Sequence, residues 1–379
     1  MKIVIISPAY PLRGGIAHHT ASLYKKLCER NYEVYVLTFK RQYPKIFFPG
    51  KTQLENSNDK SIKIDTEPII DSISPLSWWR ASRRVKSLSP ELVLIMYSMP
   101  FFAPCFGTIC RLVKKKSHSK VLFLCHNIIP HERRIGDIAL SRFAFKRADY
   151  FIVQSEVVRQ ELLKLYPNAK HELVAHPVYD IFGQPVEKSH AKKELDLKAS
   201  RVLLFFGYVR AYKGLDLLLQ AMPAILKKID LKLLIVGEFY EEEFEFRKMI
   251  AEMKIDARVE IYPDFVPSEQ VNVFFAASDV VVLPYKSATQ SGIVQLAYHF
   301  NKPCIVTDVG GLAEVVIHEK TGFVVPPNNP RELAAAVIRY YAKDKEQEFS
   351  ENITVEKKKY SWDNMVDAIE ALFLRGMRV

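Results

Sequence analysis

Cysteine is scarce in this chain: five in 379 residues. Cys28, Cys105, Cys110, Cys125 and Cys304 form no C-x-x-C and no paired spacing. That argues against a disulfide framework or a zinc site and leaves buried thiols in a reducing compartment as the plain reading. Metal motifs are missing as well. There is no D-x-D to hold a divalent ion against a diphosphate and no H-E-x-x-H. No repeat of fixed period and no low-complexity tract occurs. The opening apolar run, IVIIS, is short and meets Pro8, which argues against a secretory signal. Leu92 to Cys110 carries no charge and has the length to cross a bilayer. Pro100, Pro104 and Gly107 interrupt it, so strand, loop and helix fit it better than a transmembrane span.

What is present describes a soluble globular protein: 49% hydrophobic, 12% aromatic and 26% charged. The length predicts two domains. Net charge is +11, and it is unevenly placed. Residues 1–180 hold 28 Lys+Arg against 15 Asp+Glu, a balance of +13. The remaining 26 and 28 give −2. The first half is therefore expected to meet an anionic partner or a membrane surface. No nucleic-acid-binding motif accompanies that charge, and no nucleic acid is expected as partner.

Short β-branched runs alternate with amphipathic stretches throughout. KIVIIS, EVYVLTF, IKI, LVLIMY, KVLFLC and YFIVQS read as strands in the first half. RVLLFFG, LKLLIVG, RVEIY, VVVLPY, CIVTD and GFVVP follow in the second. Helical patterns include 16–30, 101–116, 137–147 and 156–166, then 214–228, 267–277, 292–300 and 331–343. Strands apolar on both faces, alternating with helices, predict parallel sheets wrapped by helices. The expected class is α/β, with two Rossmann-like doubly wound domains facing across a cleft. Ligands of such sheets bind beyond the carboxyl ends of the strands. The boundaries are placed at 1–181 and 182–360, with 361–379 forming a helix that returns to the first domain. The join near 180–199 is polar and has no convincing strand.

Three turns could hold phosphate. In FFGYVRAYKG, Gly207 ends a strand, and Arg210, Lys213 and Gly214 precede a helix. A helix start favours anions; Arg210 offers a planar fork and Lys213 a mobile point charge. In SATQSGIVQLAY, Ser291 can cap a helix and Gly292 lets the backbone approach a ligand. In PLRGGIAHH, Gly14 and Gly15 precede a helix without the full G-x-G-x-x-G spacing. Each turn has a bland alternative: solvated cations for the first, a plain N-cap for the second, a flexible corner for the third. Two such turns on neighbouring strands favour a diphosphate. His126, in CHNIIPHERR after a buried strand, falls on the edge where ligands bind, although a lone histidine is more often structural. His131, Glu132, Arg133 and Arg134 follow in a polar loop that could meet an acceptor.

The ordered set PLRGGIAHH, CHNIIPHE, ADYFIVQSE, FFGYVRAYKG, ASDVVVLPY, KPCIVTDVGGLAEVV and EKTGFVVPPNNP resembles the family 4 (group 1) glycosyltransferases of the GT-B fold. These pieces run from residue 7 to residue 330. The resemblance implies a second domain that binds a nucleoside-diphosphate sugar and a first that binds the acceptor. It implies no metal, and no cofactor beyond the sugar nucleotide as co-substrate. It implies retention at the anomeric carbon. Arg210 and Lys213 match the diphosphate pair, Gly15 the loop glycine facing the sugar phosphate, and His126 the histidine near the reacting carbon. Ser291, Gly292 and Ile293 match the helix start that holds phosphate, and Phe265 and Val266 the segment lining the nucleobase. One departure stands out. Aligned through KPCIVTDVGG, the family's two glutamates fall at Ala288 and Leu296, so Gln290 and Gln295 become the candidates for their contacts.

The expected acceptor is a lipid-linked sugar or a glycan precursor of the cell surface. Basic residues beside Trp78 and Trp79 in SPLSWWRASRRVKSLSP, and the cluster at 111–120, fit an anionic membrane surface. The protein is expected in the cytoplasm, peripheral on the inner face. Inward-packed tryptophans on a solvated basic face are the alternative. A catalytically inactive nucleotide-sugar binder or scaffold of the same fold is the rival function. A nicotinamide dehydrogenase is disfavoured because its glycine fingerprint is missing.

Overall fold

The computed structural model describes residues 1–375 apart from 49, 56, 116, 130–133, 180 and 185. Of the candidate residues, His131, Glu132 and Arg133 lie outside the described residues. The chain divides into two compact units, Met1–Pro177 with Ser361–Val379, and Val178–Tyr360.

In the first unit the described strands are β1 (Lys2–Ile6), β2 (Glu33–Arg41), β3 (Glu67–Asp71), β4 (Leu92–Tyr97), β5 (Lys120–Cys125), β6 (Tyr150–Val153) and β7 (His171–Leu173). They pair in the order β3-β2-β1-β4-β5-β6-β7, and every pairing is parallel. The helices are α1 (Gly15–Glu29), α2 (Pro75–Leu88), α3 (Ala103–Lys114), α4 (Asp137–Phe145) and α5 (Glu156–Leu165). Buried residues of α2, α3 and α4 share one core with the sheet, while those of α1 share another. Both faces are covered, which is why LVLIMY and KVLFLC are continuously apolar.

The segment IKI is not a strand. Ile62 closes a short 3-10 turn capped by Asp59, whose carboxylate accepts from the Ser61 amide at 2.6 Å. The third strand is EPIID instead. Its Pro68 has no N–H to donate, so this strand is tolerated only at a sheet edge, where β3 lies. The uncharged stretch from Leu92 divides into β4, a 3-10 turn and α3. Among the described residues, no helix is long and apolar enough to cross a membrane.

The second unit holds α6 (Lys188–Glu194), β8 (Val202–Phe206), α7 (Leu215–Leu226), β9 (Lys232–Val236), α8 (Glu243–Glu252), β10 (Val259–Tyr262), α9 (Val271–Ala277), β11 (Val280–Leu283), α10 (Gly292–His299), β12 (Cys304–Thr307), α11 (Leu312–Val315), β13 (Gly322–Val325), α12 (Pro330–Ala342) and α13 (Glu346–Glu356). Its strands pair in parallel in the order β10-β9-β8-β11-β12-β13. The polar join thus carries helix α6. Asp279, at the start of β11, ties this unit internally by accepting from the Val202 amide at 2.6 Å and the Tyr341 hydroxyl at 2.9 Å.

The chain ends in α14 (Trp362–Arg375), part of the first unit. Met365, Val366, Ile369 and Leu372 join the core beside α1. Lys26 and Arg30 meet Asp363 at 3.0 Å each, Arg30 meets Asp367 at 2.8 Å, and the Tyr32 hydroxyl donates to Glu370 at 2.6 Å. The apolar stripe supplies the adhesion, because exposed ion pairs add little each.

Gly214 starts α7 in the left-handed region, with φ 67°. A methyl group there would lie 2.0 Å from the Pro284 carbonyl oxygen. Gly214→Ala would therefore combine left-handed strain of about 1 kcal/mol with a backbone clash. Thermal melts should place the variant several degrees below the parent; equal melting would show that the turn relaxes freely.

Candidate functional site

In the second unit, β8 ends at Phe206 and the chain leaves the sheet through Gly207, at φ 103°. A side chain on Gly207 would start 3.0 Å from the Lys213 ammonium and 3.5 Å from Ile293. Residues 207 and 213 thus meet residue 293, which is distant in sequence, at one point. Lys213 closes a 3-10 turn, Ala211–Lys213, whose chain reverses through Gly214. Its side chain lies inward, with 8% exposure, and its ammonium sits 5.5 Å from the Tyr285 ring.

Burial, and then the nearby Arg210 charge, push the Lys213 ammonium down to about 8. The Arg210 guanidinium stacks 4.7 Å from the Tyr240 ring centroid. Among the described residues, no carboxylate pairs with either cation. Lys286, nearby, shows the ordinary arrangement: it meets Asp216 at 2.7 Å. Two cations, one of them buried, held together without a counter-ion form a strained arrangement that an incoming anion relieves.

Ser291 caps α10 and accepts from the Ile293 amide at 3.3 Å; its hydroxyl lies 3.5 Å from that of Tyr285. Gly292 opens the helix, and the Tyr179 hydroxyl is 3.2 Å from where a side chain on it would begin. Gln290 lies in the turn before the cap, half-buried. Gln295, one turn on, is 1% exposed, and its carbonyl oxygen has no hydrogen-bond partner among the described residues. An orphaned buried acceptor costs about 1–3 kcal/mol. Ala288 precedes the buried Thr289, and Leu296 is itself buried.

Phe265 stacks on Tyr208 at 6.3 Å, and Tyr208 packs on Tyr240 at 4.8 Å. Rings 208, 240 and 265 therefore run in a strip to Arg210. Val266 follows, half-buried, with no specific contact to this strip. Tyr208 stands inside FFGYVRAYKG, yet only the fold brings Tyr240, which follows β9, beneath the guanidinium.

In the first unit Gly14 caps α1 with φ 111°, and its carbonyl accepts from Ala17 and His18. Gly15 is the first helical residue. One turn on, His19 meets His126, which follows β5, at a ring separation of 4.9 Å, and His176 at 5.0 Å. The Trp362 ring is 4.8 Å away. All four side chains are buried. Desolvation, then the other rings, drive His19 well below its ordinary value and His126 to about 3, and desolvation takes His176 to about 4. The cluster is three neutral imidazoles. His19 closes the motif PLRGGIAHH but is not singled out there, and nothing marks His176; the rings meet only through the fold.

The glycosyltransferase family 4 profile matches residues 13–179, and the glycosyl transferases group 1 profile matches residues 200–343. The chain belongs to this glycosyltransferase family. An uncharacterized glycosyltransferase of Methanocaldococcus jannaschii is 24% identical over 96% of each chain. The N-acetyl-alpha-D-glucosaminyl L-malate synthase of Bacillus anthracis is 25% identical over 86% of this chain and 84% of its own. The transferase shares its fold with Anabaena HepE, solved in complex with UDP and glucose, at TM-score 0.76, 16% identity and 98% of each chain. It also shares it with the sucrose-phosphate synthase of Thermosynechococcus elongatus, at TM-score 0.75, 19% identity, and 100% of this chain against 98% of that one.

The histidine cluster sets a pH dependence. Unfolded histidines take up protons near 6.5, whereas His126 and His176 resist until about 3 and about 4 and His19 is held well below its ordinary value, so the unfolded state binds more protons in between. Stability is full above about pH 6.5 and falls as pH drops, by up to about 1.4 kcal/mol per pH unit for each ring. Melting curves from pH 7 to pH 5 should show a steep decline, shallower in His176→Gln. A flat profile would mean that the rings are already charged.

Proposed function

We propose that the transferase moves a sugar from a nucleoside-diphosphate sugar to an acceptor hydroxyl, independently of metal and with retention at the anomeric carbon. The observation that carries this is the buried, carboxylate-free Lys213 ammonium beside Arg210, facing Ile293 at the start of α10. Such a site neutralises a diphosphate with fixed charges and helix amides. Stabilising the departing diphosphate would supply most of the rate. The strip of Tyr208, Tyr240 and Phe265 offers a face for the nucleobase. The carbonyl of Gln295 offers an acceptor for a sugar or ribose hydroxyl, in place of the carboxylates replaced at Ala288 and Leu296. HepE, the relative in fold, is solved with UDP and glucose, which fits the donor class. Family membership supports retention.

Arg210→Ala and Lys213→Ala should each lower turnover by about 100- to 1000-fold, with melting temperatures near the parent's. The readout is release of nucleoside diphosphate from a panel of sugar nucleotides. Near-parental turnover in both variants would remove the proposal.

The acceptor in this reading is lipid-linked or a surface-glycan precursor, reached from an anionic membrane. Taken together, three neighbouring helices of the first unit are strongly basic. Helices α2, α3 and α4 pack in series and carry Asp137 as their single acid. Arg84 is neutralised by Glu67 and Lys114 by Asp149, which leaves Arg80, Arg83, Lys86, Arg111 and Arg142. Trp78 packs against the core and donates to the Asp71 carbonyl at 2.7 Å. Trp79 is 46% exposed, with Leu76, Ile138 and Phe143 also on the surface. Exposed apolar residues among cations suit an anionic bilayer, at about 1 kcal/mol per cation. The protein should float with vesicles of anionic phospholipid at low salt and release at high salt, and Trp79→Ala with Arg83→Ala should weaken this. Absence of flotation would remove the membrane from the reading.

A further inference from the structure

The chain enters the second unit along helix α10. The Val178 amide donates to the Tyr360 carbonyl at 2.8 Å. A few residues on, the Gly183 carbonyl lies 3.0 Å from Nε2 of His299, the last residue of α10. Between these ties Tyr179 turns inward to 5% exposure and packs edge-on against Phe182, with ring centroids 5.4 Å apart. Its hydroxyl reaches the other end of the same helix, 3.2 Å from where a side chain on Gly292 would begin. The Cα–Cβ bonds of a helix tilt toward its N-terminus. An atom met in that direction from the first helical residue therefore stands beside the helix mouth. Glycine at 292 leaves it room, because a methyl group there would crowd the phenol oxygen.

The mouth of α10 is already short of negative charge and of acceptors. The Lys213 ammonium is buried, shares the space over Gly207 with Ile293, and pairs with no carboxylate among the described residues. In the first turn, the carbonyl oxygen of the buried Gln295 has no partner among them either. Ser291 takes up the Ile293 amide with its hydroxyl and the Val294 amide with its carbonyl. The Gly292 amide makes no hydrogen bond among the described residues. We infer that the Tyr179 hydroxyl is a further binding residue of the donor site, donating a hydrogen bond to the diphosphate where α10 begins. This rests on the reading that the diphosphate lies between Lys213 and α10. A phenol suits that place. Burial pushes its pKa up, so it keeps its proton and remains a donor. It also adds no third positive charge to Arg210 and Lys213, yet its bond to an anionic oxygen is a strong one. With its ring fixed against Phe182, little freedom is left to lose on binding.

The test is calorimetric titration of the full-length protein with UDP, GDP, ADP and TDP, alongside the variants Tyr179→Phe and Lys213→Ala. Tyr179→Phe deletes one oxygen and leaves the ring on Phe182, so it should melt with the parent. Its Kd for the diphosphate that binds the parent should rise about 10- to 100-fold, the loss expected of a hydrogen bond to a charged group. The corresponding nucleoside should bind parent and variant alike, because the strip of Tyr208, Tyr240 and Phe265 is untouched. Parental diphosphate affinity in Tyr179→Phe, beside weakened binding in Lys213→Ala, would overturn the inference and leave the diphosphate site standing. So would an equal loss of nucleoside and diphosphate affinity, which would mark Tyr179 as a support for α10 and not a ligand contact. Parental affinity in Lys213→Ala, or no binding of any of the four by the parent, would overturn the site and the inference together.

Discussion

A lysine ammonium held out of water beside a second cation is the constraint around which the second unit is arranged. Desolvating such a group costs free energy, and a protein tolerates that cost where the structure enforces it or where a ligand cancels it. Here enforcement is visible. The turn from β8 removes the side chain at 207, so the ammonium can rest against backbone; Gly214 turns the chain back; and α7 starts against the Pro284 carbonyl. The arrangement stores electrostatic strain that a bound anion would relieve. The Arg210 contact to Tyr240 keeps that guanidinium extended over an aromatic face and free of salt bridging to a neighbouring acid.

The two units solve opposite electrostatic problems with the same architecture. Both are parallel sheets wrapped by helices, and in both the candidate residues follow the carboxyl ends of strands. In the second unit the gathered groups are cations and amide donors. In the first they are imidazoles held neutral by burial. One collection favours an anion, and the other favours no charge at all. Neither environment requires an unusual fold.

Much of this was legible from pattern alone. Strands such as VLLFF and VVVL are apolar at every position because helices cover both faces, and that pattern survives without any structure. The glycines around 207 and 214 marked the turn, since few other residues tolerate it. The error over IKI is instructive: three residues with two isoleucines resemble a strand, but a cap from Asp59 shaped the segment as a turn, while a proline-containing run formed the edge. Long-range partners were not legible. Tyr240 under Arg210, Glu67 beside Arg84, and Gln154 beside His19 are products of sheet order, which brings residues together across tens to more than a hundred positions. The tryptophan pair shows the same limit, for adjacent residues on a helix point about 100° apart, and only the fold decides which one meets solvent.

The return of the last helix has a consequence for biosynthesis. Trp362 packs against the His19 ring and α14 completes the core beside α1, so the first unit lacks its final wall until the ribosome has passed residue 375. A nascent chain emerging from the exit tunnel would build the second sheet before the imidazoles of the first are sealed from water. A product truncated after the second unit would lack both the Trp362 ring against His19 and the helix that closes the core beside α1.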